Sequence, residues 1–459
     1  MDQYLIERVN TRSSKIFKEK HGRAQLELSI IDRIHDGSGD YVLARQPKTQ
    51  INQIEELKKS STQTSNECSR IYTIQHTRSW TTLDISRPLF DQLLDTHKIF
   101  NGLWRTILAF GMRLCENEYG FPLPLTRESR SGKIIHQELA YVIQRVERNG
   151  RLNSESPWSI RQTGVYQKLT QSERNLEDAK ALFLLVAPSS ATENSVLDEL
   201  SRKASEWADS TGSALCVHGC VVAESLKGWV DYMCWLEEQL KLKSARIMTS
   251  SIYGGSDTRP IGFVEKDRQG LKQLEEYIND LLVILRNKVH SIGRIKRSCL
   301  QYCSVHRSDK QPCICLRAME ELEEYAAEAQ NYQDRVKVLQ TEVQSVQSCL
   351  SDLLRYQESA DIKQLTIRNA LDATAVKLLT IITILFLPLT LVENFFSTQF
   401  VTTVGGGLQV SVYALIMVAV SLPLTGLVFL GWRFWLRHEY SRFHPGSFQR
   451  EDSKAEEIV

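Results

Sequence analysis

The residues best suited to coordination chemistry lie near the C-terminal end of the chain. Leu379, Thr383, Leu387, Thr390 and Asn394 recur at steps of three and four, with Ala373 and Val376 before them and Thr380 beside Leu379. That spacing puts them on one face of a helix. Hydroxyl and amide oxygens on a shared face suit a hydrated cation that gives up its water reluctantly. Small and hydroxyl residues are also ordinary contacts between packed membrane helices, and the spacing alone leaves both readings open. Glu393 places a carboxylate one turn beyond Thr390 in an otherwise charge-free stretch. An ionisable residue in or near a bilayer is a functional candidate. Here it either attracts cations or turns outward to the interface.

A second cluster is Cys299, Cys303, His306, Cys313 and Cys315, spaced Cys-x3-Cys-x2-His-x6-Cys-x-Cys. Soft ligands this dense could hold a structural Zn²⁺. The spacing matches no standard zinc finger, and free cysteines on helix faces are the alternative. The first 30 residues contain no apolar secretory core, so the ten cysteines read as reduced thiols. No GxSxG, HExxH or Walker pattern occurs, so nothing argues for an enzyme. With 56 basic and 55 acidic residues the net charge is +1, and no global excess points to nucleic acid.

The elements that must position these groups follow from periodicity. Residues 1–66 are polar, rich in Gln, Ser, Thr and Lys, and read as a weakly ordered arm. Residues 67–315 alternate strand and helix patterns, which predicts an α/β (α+β) cytosolic domain. Ile71-Tyr-Thr-Ile-Gln, Glu138 to Val146 and Ala181 to Ala187 are strand candidates, the last apolar enough to be buried on both faces. Ser86 with Pro88 marks a helix start, and helices are expected over 194–209, 215–242 and 267–303. From Tyr325 to Leu353 apolar or small residues fall at alternating steps of four and three. This is a heptad seam, placed on a very long stalk helix over 316–377. No Gly or Pro interrupts the chain from Leu316 to Pro388. Some 75–80 helical residues would span on the order of 115 Å. The seam packs against neighbouring copies or folds back on its own domain.

From Asn394 through Trp432 there is no Asp, Glu, Lys or Arg. Two stretches, 378–396 and 410–432, are close to the length that crosses a bilayer. They are expected as transmembrane helices joined by a short outer loop at 397–409 and followed by a basic tail at 433–459. Lys363, Arg368 and Lys377 precede the first span, and Arg433, Arg437 and Arg442 follow the second. The positive-inside rule then puts both termini in the cytoplasm of a multi-pass plasma-membrane protein, or in the matrix if the membrane is the mitochondrial inner one.

The segment Leu379-Thr-Ile-Ile-Thr-Ile-Leu-Phe-Leu-Pro-Leu-Thr-Leu-Val-Glu-Asn-Phe-Phe-Ser-Thr-Gln-Phe400 resembles the first span of the CorA family of divalent-cation channels, which includes the ZntB zinc transporters. Pro388-Leu389-Thr390 is the centre of the match. Pro157-Trp-Ser-Ile-Arg-Gln-Thr-Gly-Val-Tyr166 resembles the divergent fungal branch of that family. The resemblance implies a homo-pentamer whose first span lines a pore for a divalent cation, most simply Mg²⁺, with no resident cofactor. It also implies an amide ring at the outer mouth, where the family carries Gly-Met-Asn. Ser397, Thr398 and Gln399 occupy those positions here. Gln399 keeps the amide oxygen on a side chain one methylene longer, and Ser397 lacks glycine's freedom at positive φ. A chain that kept this architecture and lost conduction would be a membrane-anchored scaffold or sensor.

Overall fold

The computed structural model describes residues 3–18, 26–35, 41–62, 67–77, 80–113, 122–150, 156–172, 175–201, 210–248, 265–305, 314–397, 401–404 and 407–410, with scattered helical positions between 412 and 434. Two units divide the chain, residues 1–352 and 353–459.

The first unit is built on a mixed eight-stranded sheet. Its strands are β1 (Leu26–His35), β2 (Tyr41–Arg45), β3 (Thr49–Ile51), β4 (Glu67–Ile74), β5 (Leu125–Ser131), β6 (Ile134–Arg148), β7 (Trp158–Ser172) and β8 (Asn175–Val186). They lie in the order β2-β1-β4-β8-β7-β6-β5, with β3 also paired to β1. β4 and β8 are parallel, Ser69 opposite Ala181, while the other neighbours run antiparallel.

β8 is central, which explains its unbroken apolar run. Leu182, Leu184 and Val186 enter the core on one face, and Ala181, Phe183 and Leu185 enter the core on the other. The first face is covered by α1 (Gln3–Ile16), α2 (Ile54–Ser60), α3 (Arg87–His97) and α4 (Leu103–Ile107). The second is covered by α5 (Ser190–Leu200), α6 (Ser210–Leu226), α8 (Glu265–Val305) and the first part of α9 (Ile314–Ser397), with α7 (Trp229–Met248) packed against α8.

The N-terminal 66 residues correct the expectation of a weakly ordered arm. They contain α1, β1, β2, β3 and α2, and β1 sits inside the sheet between β2 and β4. Leu5, Val9 and Ile16 of α1 and Leu26, Leu28 and Ile31 of β1 are buried. The α1 spacing is helical, and Leu26 and Leu28 alternate on one face of β1 while Ile31 enters the core on the other, but frequent polar residues between them mask the pattern in composition.

Other boundaries shift for local reasons. The Trp158-to-Tyr166 segment is strand, part of β7. The helix expected over 194–209 begins earlier, at Ser190, because Ser189 accepts the Thr192 amide at 3.0 Å and caps it. The single helix expected over 215–242 is two. Gly228 stands between α6 and α7 at φ 82°, and a side chain there would meet Val146 at 3.2 Å. Ser86 does stand at the start of α3, with Pro88 in the first turn.

The heptad seam is used within the chain. Ala329, Val336, Leu339, Val343, Val346 and Leu350 are buried. Lys296 pairs with Glu323 at 2.9 Å, Gln340 donates to Asn279 at 2.7 Å, and Gln347 donates to Glu275 at 3.1 Å. As the α8 number falls the α9 number rises, so the two helices run antiparallel. Arg335 adds a fork to Glu237 of α7, with contacts of 2.7 and 2.9 Å.

In the second unit α9 continues without interruption to Ser397. An antiparallel ladder of β9 (Val401–Val404) and β10 (Gly407–Val410) follows. These strands replace the loop expected over 397–409; the β-branched Val401, Thr402, Thr403 and Val404 favour strand.

Candidate functional site

The candidate face lies on α9. Helical backbone runs through 373–397, so the phase inferred for Val376, Leu379, Thr383, Leu387, Thr390 and Asn394 is realised: they fall on one face. Pro388 has no N–H, so the Ile384 carbonyl has no helical donor, yet the helix persists past it.

Among the described side chains, this part of α9 is apolar and exposed. Val376, Leu378, Leu379, Ile381, Ile382, Phe386, Leu387 and Leu391 are all exposed, Leu379 at 64% and Leu387 at 59%. Exposed apolar stretches of this kind mark interaction surfaces more often than bare solvent-facing helix. The threonine hydroxyls already have acceptors for their O–H groups. Thr380 donates to Val376 O at 2.8 Å, Thr383 to Leu379 O at 2.8 Å and Thr390 to Leu387 O at 2.9 Å. Each hydroxyl oxygen therefore keeps lone pairs for an acceptor role toward a hydrated cation.

Asn394 is exposed on the same helix. The side chains of Glu393 and Ser397 and the whole of Thr398 and Gln399 lie outside the described residues. So do several apolar side chains of 378–396. Among the described residues no helix is long and apolar enough to cross a membrane.

The cysteine cluster is represented by Cys299 alone. It is buried in α8 among Ile292, Ile295, Met319 and Leu322. The side chains of Cys303 and Cys315, and all of His306 and Cys313, lie outside the described residues. Among the described residues no group of three or more His, Cys, Asp or Glu is placed to hold a metal ion.

The sequence reading missed a set of buried polar side chains along β6 and β7. Tyr141 Oη lies 2.9 Å from His218 Nδ1, and His218 Nε2 lies 2.7 Å from Gln167 Oε1. Oε1 can only accept, so Nε2 carries the proton and Nδ1 accepts from the tyrosine. Burial holds His218 down to about 4, so it is neutral at pH 7. On the other face Glu138 accepts from Tyr166 Oη at 2.6 Å and from the Phe100 amide at 2.9 Å.

Lys288 of α8 is wholly buried. It donates to Gln144 O at 2.8 Å, Ser225 O at 2.7 Å and Ser225 Oγ at 2.9 Å, and it lies 5.0 Å from the Trp229 ring centre. Ser225 stands in the last turn of α6, so Lys288 satisfies a carbonyl that the helix itself leaves open. Burial pushes the amine well below its usual range. A lone histidine, lysine or glutamate in a strand-and-helix pattern gives no sequence signal of its partners, because the partners are 28 to 144 residues away.

A family model of CorA-like transporters matches residues 122–248, the run from β5 to α7 that carries most of these buried polar groups. Over this segment the chain is similar to CorA-like transporters. No curated protein sequence matches it. Among solved structures, the full-length CmaX protein is similar at 14% identity and a TM-score of 0.39, covering 91% of this chain and 100% of that one. The complete CorA magnesium transporter from Methanocaldococcus jannaschii is similar at 10% identity and a TM-score of 0.36, covering 88% and 96%. The soluble domain of the same transporter is similar at 12% identity and a TM-score of 0.33, covering 71% and 96%.

Proposed function

We propose that the chain is a CorA-like membrane channel for divalent cations, most simply Mg²⁺, working as a homo-pentamer. The observation that carries this reading is the uncovered apolar stretch of α9 from Val376 to Leu391 in a chain that is CorA-like over 122–248. In this reading 378–396 and 410–432 cross the membrane and both termini face the cytoplasm. Several copies bring the Leu379-to-Asn394 face around one axis. Thr383, Thr390 and Asn394 offer oxygens to a hydrated ion, and Leu387 forms an apolar constriction that gates by dewetting. Gln399 supplies the amide ring at the outer mouth, with Ser397 and Thr398 beside it, and Glu393 concentrates cations just inside.

The replacement of Gly-Met-Asn by Ser397-Thr398-Gln399 favours a second reading, a membrane-anchored scaffold that no longer conducts. Cation uptake in a cell that lacks its own magnesium transport separates the two. A conducting parent restores uptake, Gln399→Ala abolishes it, and Gln399→Asn preserves or improves it. A parent that reaches the membrane and restores nothing supports the scaffold.

A further inference from the structure

The carboxyl ends of the parallel strands β4 and β8 meet at a small cleft that opens to solvent. Open α/β sheets bind ligands at this edge, because the strands end there and their following loops can approach a ligand closely. The backbone at this edge is strained. Among the described residues three non-glycines have positive φ, and two of them, Trp80 at 66° and Ala187 at 54°, line the cleft. Gly111, at φ 98°, lines it too. A side chain there would strike the Lys15 carbonyl at 2.5 Å, so only glycine fits. Such strain concentrates where a fold prepares a site.

The lining is cationic. Arg161 and Arg113 reach the cleft, and Arg145 stands behind it, donating to the Ala187 carbonyl at 3.2 Å. Glu147 is shared between Arg145 at 2.7 Å and Arg161 at 3.0 Å, so one carboxylate serves two guanidiniums. The Arg161 Nε contact lacks hydrogen-bond alignment despite its distance. Arg113 lies 5.9 Å from the Trp80 ring centre and donates to Gln162 Oε1 at a long 3.4 Å. Asp84, another acid near the cleft among the described residues, takes Lys18 at 3.0 Å. His76 Nδ1 is buried in the same wall with no hydrogen-bond partner among the described residues.

We infer that this cleft is a binding site for a small oxyanion, a phosphate or a carboxylate, held by the Arg113 and Arg161 guanidiniums. Planar guanidiniums match either group with paired N–H donors. The site lies within the first unit and does not depend on the transport reading. His76 reports on it. Burial, then Arg145 and Arg161, hold it down to about 4, and an anion beside it would raise that value.

The test uses the full-length chain in detergent, titrated separately with inorganic phosphate and with acetate, followed by calorimetry and by the His76 ring resonance. Saturable binding with a Kd of about 1 mM or tighter is expected for one of the two. The tighter ligand identifies the head group. Arg113→Gln and Arg161→Gln should each weaken binding about tenfold, the effect of losing a charge-assisted hydrogen bond. Arg148→Gln, an exposed arginine outside the cleft, should leave it unchanged. The His76 titration should move upward with ligand in the unmutated chain, a readout that needs no variant to fold. Absence of saturable binding by both anions overturns the proposal. So does equal binding by all three variants, or a His76 titration that stays fixed while ligand binds.

Discussion

His218 shows how one buried side chain ties stability to pH. Its folded value is held near 4 by burial, against an ordinary 6.5. Between those values the unfolded chain binds a proton that the folded chain does not. The stabilisation is therefore full above about pH 6.5 and is lost as pH falls toward 4, by about 3 kcal/mol when complete. His218→Gln removes the titration, so its loss of stability over pH 6.5–4 should be smaller than the parent's in urea unfolding. Lys288 acts in the alkaline window with the same sign. Its folded value lies well below 10.5, so stability rises with pH from the folded value up to the unfolded one. Lys288→Met should flatten that rise, while leaving the Gln144 carbonyl without its donor. An unchanged alkaline slope would show that the amine is not desolvated.

At the scale of elements, α9 divides at the end of its seam. Up to Leu350 it is buried against its own domain, and beyond Leu353 its described side chains are largely exposed. Val336 and Val338 give a direct comparison, because Val336 is fully buried and Val338 is 60% exposed. Val336→Asp should cost about 3 kcal/mol or more, from a lost apolar contact and a buried charge, while Val338→Asp should change little. Equal effects would mean that the seam does not pack inward. The long helix, the central strand β8 and the start of α3 were legible in the sequence, since each repeats one signal over many residues. The order of the strands was not, because pairing such as β4 with β8 joins Ser69 to Ala181, and no local pattern records a partner that distant. The break at Gly228 was missed for a different reason. The apolar spacing from Val221 to Leu240 runs across it, and one glycine in a helical pattern does not by itself declare a positive φ. The α9 face was legible because helical phase needs only the sequence, but its role was legible only through the family resemblance.

For the whole molecule, the proposed channel calls for assembly and a membrane together, and the exposed stretch of α9 is where both would act. The detergent-extracted chain should have a native mass near five times 52.5 kDa, and a stable monomer would remove the channel. In the proposed reading, topology is set by the charges around the two apolar stretches. A cysteine at Thr403 should react with an impermeant thiol reagent from outside, and one at Ser453 should not; the reverse pattern would invert the chain. Flux into liposomes tests conduction most directly. Purified full-length protein, reconstituted in vesicles that hold a Mg²⁺-sensitive dye, should admit Mg²⁺ down its gradient, and Gln399→Ala should abolish that entry. Vesicles that contain the assembled protein yet admit no more Mg²⁺ than protein-free vesicles would contradict it.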